Sequence, residues 1–346
     1  MYSWHGRTKL AITVLLVMAV VAVAGCGQQE EGASQEPQQT YELKLATMVT
    51  DPHPWIPMAE HFAARVEELT NGGVKVVLYP GGTLGNDQAT LEDMRYGTVD
   101  FNITTSANAS PFVPALQVFS LSYLFKDSEH FRRALAPDSP LVEAIAQEVE
   151  KAQPDFKFLA LSGGGTRSLS TRFGPVRTPA DLKGRRMRVM MSPIESQIWE
   201  ALGTIPVSVP WTELYTAIQT GVAEAFESST SGYWSAKLYE VGPYHCLTQH
   251  QFMVSVLLMS KKTWDQLPAE YQQAVVKAAE EAAQVGIDKG FEVEAEIHAK
   301  LREKNVTIVE VDKESFQAIV VPLHDQFAED MNVTHLLKII RDLAGE

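Results

Sequence analysis

The chain has 346 residues, 45% of them hydrophobic and 21% charged, and a formal net charge of −14 at pH 7. That length and composition allow sizeable buried cores and predict two domains or lobes. The acid excess argues against nucleic acid and anionic lipid as partners.

Residues 1–26 read as a lipoprotein export signal. Arg7 and Lys9 form a basic start and Leu10 to Ala22 an apolar run, too short for a membrane span. Val23-Ala-Gly-Cys26 has the form of a bacterial lipobox, so Cys26 is expected to become the lipidated N-terminus; an ordinary cleaved signal peptide is the alternative. Acyl chains, at about 0.8 kcal/mol per buried methylene, would hold the protein to a membrane on its periplasmic side. Gly27 to Thr40 is polar, rich in Gln and Glu, and reads as a flexible tether. Loss of residues 1–25 removes two basic residues and no acid, shifting the charge from −14 to −16. Any anionic ligand must then be held by local arginines against the overall field. With Cys26 acylated, Cys246 has no partner for an internal disulfide and is expected to be inert and partly buried.

From Tyr41 the chain alternates strand and helix. Tyr41 to Met48 reads as a strand and Pro57 to Leu69 as a helix carrying Met58, Phe62, Val66 and Leu69 on one face. Val74 to Tyr79 is a strand, a helix capped by Asn86 or Asp87 ends at Gly97, and Val99 to Thr104 is a third strand. This β-α-β-α-β order predicts a parallel sheet, with a ligand beyond the carboxyl ends of its strands. The loops at 48–56, 80–87 and 105–114 are therefore the expected rim. Phe112 to Phe125 reads as a buried connection, Phe131 to Lys151 as a helix and Lys157 to Leu161 as a strand. The triple glycine after Ser162 lacks the Lys and Ser/Thr of a phosphate loop and reads as a flexible turn leading to Arg167.

The stretch from Thr178 to Met191 reads as a capped turn (Thr178, Pro179, Asp181, Gly184) followed by a strand from Arg186 to Met191. Arg188, set among apolar residues in that strand, calls for an anionic partner. That partner is either a structural Asp or Glu or a ligand carboxylate held by the two-pronged guanidinium. Short strands at 206–210 and 223–227 flank a helix over Thr212 to Thr220, making a second α/β unit, and His250 to Met259 is an apolar strand. Pro268 opens a helical run to about Asn305, on the order of 50 Å long, which is expected to span both units, with Gly286 and Gly290 as bend points. Val306 to Val311 and a helical tail near 334–344 complete the chain.

No nucleophile elbow, His-Glu-x-x-His, Cys-x-x-Cys or dinucleotide glycine fingerprint is present, so no cofactor or metal site is expected. His53, His61, His245 and His250 lack metal-ligand spacing and read as surface or satisfied histidines. Glu224 and Glu227 would point to opposite faces of one strand, which discounts an acid/base pair. The chain reads as a binder, not an enzyme.

Several long motifs occur in a particular order: Tyr79-Pro-Gly-Gly-Thr-Leu-Gly85, Phe112-Val-Pro114 with Tyr123-Leu-Phe125, Pro179-Ala-Asp-Leu-Lys-Gly-x-x-Met-Arg-Val189, Glu213-Leu-Tyr-Thr-Ala-Ile-Gln-Thr-Gly-Val222 and Ser260-Lys-Lys-Thr-Trp264. In these, residues 41–346 resemble the substrate-binding proteins of tripartite ATP-independent periplasmic (TRAP) transporters, the DctP-like class. The resemblance implies a two-lobed α/β periplasmic-binding-protein fold with a long helix across both lobes. It also implies closure on one ligand, and delivery to small and large multi-span membrane subunits driven by an ion gradient, usually sodium. The lobes are expected at 41–164 with about 254–293, and at about 165–253 with 294–346.

Arg188 falls on the family's carboxylate-holding arginine, Arg167 on a second arginine toward the same anion, and Trp211 on an aromatic that packs on the ligand body. Ser228 stands where the family usually has asparagine and Met190 where it usually has proline. The expected ligand-contacting set is Arg188, Arg167, Trp211, Ser228 and Glu227, with Thr105, Asp87 and Thr47 on the first lobe. The implied function is a lipid-anchored receptor for a small organic acid. A sensory module that presents its ligand to a signalling receptor, and a secreted enzyme on a similar scaffold, are the alternatives.

Overall fold

The strands run in chain order as β1 (Tyr41–Thr47), β2 (Val74–Tyr79), β3 (Phe101–Thr105), β4 (Phe156–Thr171), β5 (Arg186–Val189), β6 (Ile205–Ser208), β7 (Ala225–Ser229), β8 (Tyr244–Ser260) and β9 (Thr307–Val309). The structure is a computed structural model that describes residues 40–345. The expected export signal, the lipidation residue Cys26 and almost all of the tether lie outside the described residues.

All nine strands join one mixed sheet in the order β2-β1-β3-β8-β4-β7-β5-β6, with β9 paired to β8. The strands β2, β1 and β3 are mutually parallel, as the β-α-β-α-β reading expected, and so are β6, β5 and β7. Between these groups the long antiparallel strands β4 and β8 serve both: β8 pairs with β3, β4 pairs with β7, and the two pair with each other.

Helix α1 (Trp55–Leu69) forms because Met58, Ala59, Phe62 and Val66 recur at helical spacing and are completely buried. It stops where Asn71 and Gly72 adopt positive φ. Helix α2 (Asp87–Tyr96) is capped by Asn86, whose side chain accepts from the Ala89 amide at 2.9 Å, and is closed by Gly97 at φ 72°. Because Asn86 is the cap, the Asp87 carboxylate is free to turn inward. The turn over Pro179–Leu182 has the expected capping box, Asp181 accepting from the Thr178 amide at 2.9 Å. The strand after it is shorter than expected and leaves Met190 and Met191 beyond its end.

Two strands are longer than their sequence signals. β8 begins at Tyr244 rather than His250. β4 continues through the triple glycine, so the expected flexible turn at 162–165 is corrected to strand, with a slip in its pairing to β8 between Gly163 and Thr166. The glycines are there for close approach. A Cβ on Gly165, which has φ +88°, would lie 2.9 Å from the Gly290 carbonyl oxygen, and one on Gly290 would lie 2.6 Å from the Gly165 amide nitrogen. Here β4 meets the long helix Ala269–Arg302 backbone to backbone.

That helix is continuous over 34 residues, about 51 Å at 1.5 Å per residue. Gly286 and Gly290 are contact points within it rather than helix breaks. Its first half packs Tyr271, Val275, Ala278 and Ala282 into the cluster built on α1, β1 and β3. Its last turns put Ile297 and Leu301 with Leu214, Phe226 and Tyr233 of the other side. Cys246 is a buried free cysteine, and burial pushes its thiol up to about 11.

Candidate ligand-binding site

Parallel strands present their carboxyl ends on one side of the sheet. Met48 after β1, Thr105 at the end of β3, Met190 after β5 and Ser228–Ser229 at the end of β7 meet around a cavity there. The room it leaves for a water-sized sphere is about 30 Å³, within about 400 Å³ of non-atom space that includes open solvent at its mouth.

Arg188 enters it from β5. The side chain is 1% exposed and its Nε donates to the Val209 carbonyl at 2.9 Å, while Nη1 has no hydrogen-bond partner in the protein. Burial pulls its pKa down, against the attraction of Glu227, to about 10, so the guanidinium remains charged at neutral pH. By register Arg188 lies opposite Phe226 of β7 and shares its face with Ser228 two residues on. The Ser228 hydroxyl is likewise buried without a partner. A donor-only cation and a hydroxyl, both unsatisfied and both lining one cavity, have the chemistry that complements a carboxylate.

Arg167 also lines the cavity but is already paired. Its Nε and Nη2 donate to the two carboxylate oxygens of Glu227 at 2.5 and 2.6 Å, and Nη1 lies 3.1 Å from the Met253 sulfur. Burial opposes the charge on Glu227, yet Arg167 and the neighbouring His250 (3.7 Å) hold that carboxyl well below its ordinary range. Glu227 therefore pairs with Arg167 and is not among the residues that line the cavity. Thr47, buried at the end of β1, does not line the cavity either. The other six expected residues, Arg188, Arg167, Trp211, Ser228, Thr105 and Asp87, do.

Asp87 faces the cavity from the opposite group of strands. One carboxylate oxygen accepts from the Thr104 hydroxyl at 2.5 Å and the other from the Asn108 amide nitrogen at 2.8 Å. Burial raises its pKa against those two donors and the attraction of Arg188. Trp211 closes another side. Its ring comes so close to Gly232 that a Cβ there would lie 3.1 Å from Trp211 Cη2.

Four residues in or beside the wall were not singled out from the sequence, although His53 and Asn108 lie in the expected rim segments 48–56 and 105–114. His53, read as a surface or satisfied histidine, is buried and lines the cavity. Its Nδ1 accepts from the Trp55 amide at 3.3 Å, which assigns the ring proton to Nε2. Burial, then the Arg167 charge, lower it to about 3, so it is neutral. Asn108 and Met253 complete the wall. Glu195 lies just outside it, 4% exposed, with one carboxylate oxygen unpaired and the other accepting from the Met190 amide at 3.3 Å. Burial, then the Glu227 charge, push Glu195 up to about 8.

Among the described residues no group of three His, Cys, Asp or Glu is placed to hold a metal ion, and no helix is long and apolar enough to cross a membrane.

Parallel strand ends, a buried arginine with a free donor and a long helix across both strand groups define a binding protein for small solutes. The description bacterial extracellular solute-binding protein, family 7 (DctP) matches residues 45–330, and the chain belongs to that family, the periplasmic solute-binding proteins of TRAP transporters. It is 33% identical over 304 residues to a solute-binding protein of Sulfitobacter sp. NAS-14.1, covering 86% of this chain and 90% of the relative. A crystal structure of a TRAP periplasmic solute-binding protein from the same organism, with bound α-D-taluronate, superposes with a TM-score of 0.82 at 31% identity over 87% of this chain and 98% of that one. One from Sulfurospirillum deleyianum, with bound succinate, gives a TM-score of 0.82 at 25% identity over 88% and 99%. These relatives are solute-binding proteins, not enzymes.

Proposed function

We propose that the protein is an extracytoplasmic receptor that captures a small organic acid in this cavity and hands it to an ion-gradient-driven TRAP membrane transporter. One observation carries the reading: Arg188 Nη1 and Ser228 Oγ are both unpartnered at the same cavity. A buried cation with an unmet donor costs several kcal/mol, and a ligand carboxylate relieves that cost. Taluronate and succinate, bound by the two structural relatives, are both carboxylates.

The cavity takes walls from both strand groups, Asp87 and His53 from one and Arg188 and Ser228 from the other. Residues 41–164 with about 254–293, and about 165–253 with 294–346, then act as lobes that close on the ligand. Differential affinity for the closed arrangement drives that closure. Acylation at Cys26 would keep the receptor at the membrane, and Cys26→Ser should release it to the soluble fraction.

The direct test is Arg188→Lys, read by calorimetry with whichever acid of a mono- and dicarboxylate panel gives the largest thermal shift. Lysine keeps the charge but loses the planar fork, so affinity should fall at least ~100-fold, about 2.7 kcal/mol. Undiminished affinity would sink the clamp.

A further inference from the structure

We infer that the ligand is a monocarboxylate whose far end carries hydroxyl groups, a sugar acid in chemical class, with Asp87 as the acceptor that selects it. The inference rests on the carboxylate clamp proposed above and concerns the opposite wall.

The charges on that wall limit the ligand to one carboxylate. Arg167 is neutralised by Glu227 through two hydrogen bonds, which leaves Arg188 as the cation with donor capacity to spare. Asp87 stands across the cavity with one oxygen accepting from Thr104 and the other from Asn108. Because both oxygens already accept, the carboxylate is held as an acceptor-only group with lone pairs left over. A second ligand carboxylate brought to that end would meet the Asp87 carboxyl, whose two oxygens already accept, with no spare cation. An alkyl or aryl end would bury the same carboxylate against carbon with no donor in return. A hydroxyl is the complement, since it donates to Asp87 and can accept in turn.

His53 adds to that complement. Its Nδ1 is taken by the Trp55 amide, so Nε2–H is a neutral donor at the cavity, suited to a hydroxyl or ring oxygen. Trp211, kept in place by the absence of a side chain at Gly232, supplies an apolar face for the C–H side of a polyol or sugar ring. Cation, acceptor, donor and aromatic face therefore surround one small volume, and a hydroxylated acid uses all four.

Calorimetry of the protein at pH 7 separates the outcomes. The probes are a panel of hexuronates and aldonates, succinate as a diacid without hydroxyls, and cyclohexanecarboxylate as a ring acid without hydroxyls. The best hydroxy acid should bind at least ~100-fold more tightly than either comparison acid, because a site built to bond hydroxyls rejects analogues that lack them. Asp87→Asn should narrow that gap at least ~10-fold, chiefly by weakening the hydroxy acid. Succinate or cyclohexanecarboxylate binding as tightly as every hydroxy acid overturns the inference while leaving the clamp standing. Failure of every acid to bind overturns the clamp itself. Should Asp87→Asn fail to fold, the wild-type ratio alone decides.

Discussion

Arg188 and Glu195 are both buried ionisable groups with incomplete partners, but only the arginine carries its charge at neutral pH. A guanidinium between apolar residues in a strand calls for an anion, so Arg188 announced itself. Glu195 sits three residues after Ser192, where a helix-capping acid ordinarily faces water. Here Ser192 accepts from the Glu195 amide at 3.4 Å, and the carboxylate turns back to the Met190 amide, a fold-back that no local pattern reveals. His53 and Asn108 fall in the segments 48–56 and 105–114 expected to form the rim, but a loop and the four-residue helix Ser106–Ala109 are too short to show which way a side chain points.

The Glu195 pKa has a consequence with a definite sign. Below about pH 8 it is a neutral acid; above that it becomes a carboxylate beside Arg167 and Arg188 that competes with the ligand's own. Affinity for the acid should therefore hold up to neutral pH and fall as pH rises through about 8, and Glu195→Gln should flatten the profile. The same group binds its proton more tightly in the folded than in the unfolded chain. Its contribution to stability is thus complete below the ordinary value of 4.5 and lost as pH rises to about 8. A calorimetric pH series on both forms checks the two statements, and a profile unchanged by the substitution contradicts them.

At the level of elements, long periodic segments were legible and short ones were not. The helix Ala269–Arg302 repeats its apolar spacing over many turns, whereas Pro193–Ala201, Thr230–Ser235 and His324–Asp330 each hold too few apolar positions to show a period. The triple glycine misled for a physical reason. Glycine signals a turn when it supplies positive φ and signals contact when it supplies room, and residues 163–165 supply mainly room. The Gly165–Gly290 crossing gives a direct test. Gly290→Ala forces a methyl against backbone that cannot rotate aside, so it should destabilise the fold by about 1–3 kcal/mol, read as a lowered denaturation midpoint. An unchanged midpoint would mean that helix and strand are not in backbone contact.

For the whole molecule, Cys246 is a built-in reporter. It is buried and its thiol titrates near 11, so a thiol reagent meets a reactive thiolate there only through unfolding. In a Cys26→Ser chain, bound acid at a hundred times its dissociation constant should slow labelling about 100-fold, equivalent to about 2.7 kcal/mol. Labelling that ignores the ligand would show that the cysteine is reached by local opening. Two strand groups were legible from the sequence as two α/β units, but their fusion into one sheet was not. That fusion depends on pairing between strands far apart in the chain, which no window of sequence contains.

That long-range pairing sets a timetable. Phe101 of β3 lies beside Met259 of β8, 158 positions further on. A ribosome adding about 5–20 residues per second needs roughly 8–30 s to supply the partner. For that interval β3 has one edge bare, open to pairing with any other strand it meets. Synthesis therefore passes through a stretch in which the first strand group exists but cannot close, and shielding matters most in those seconds.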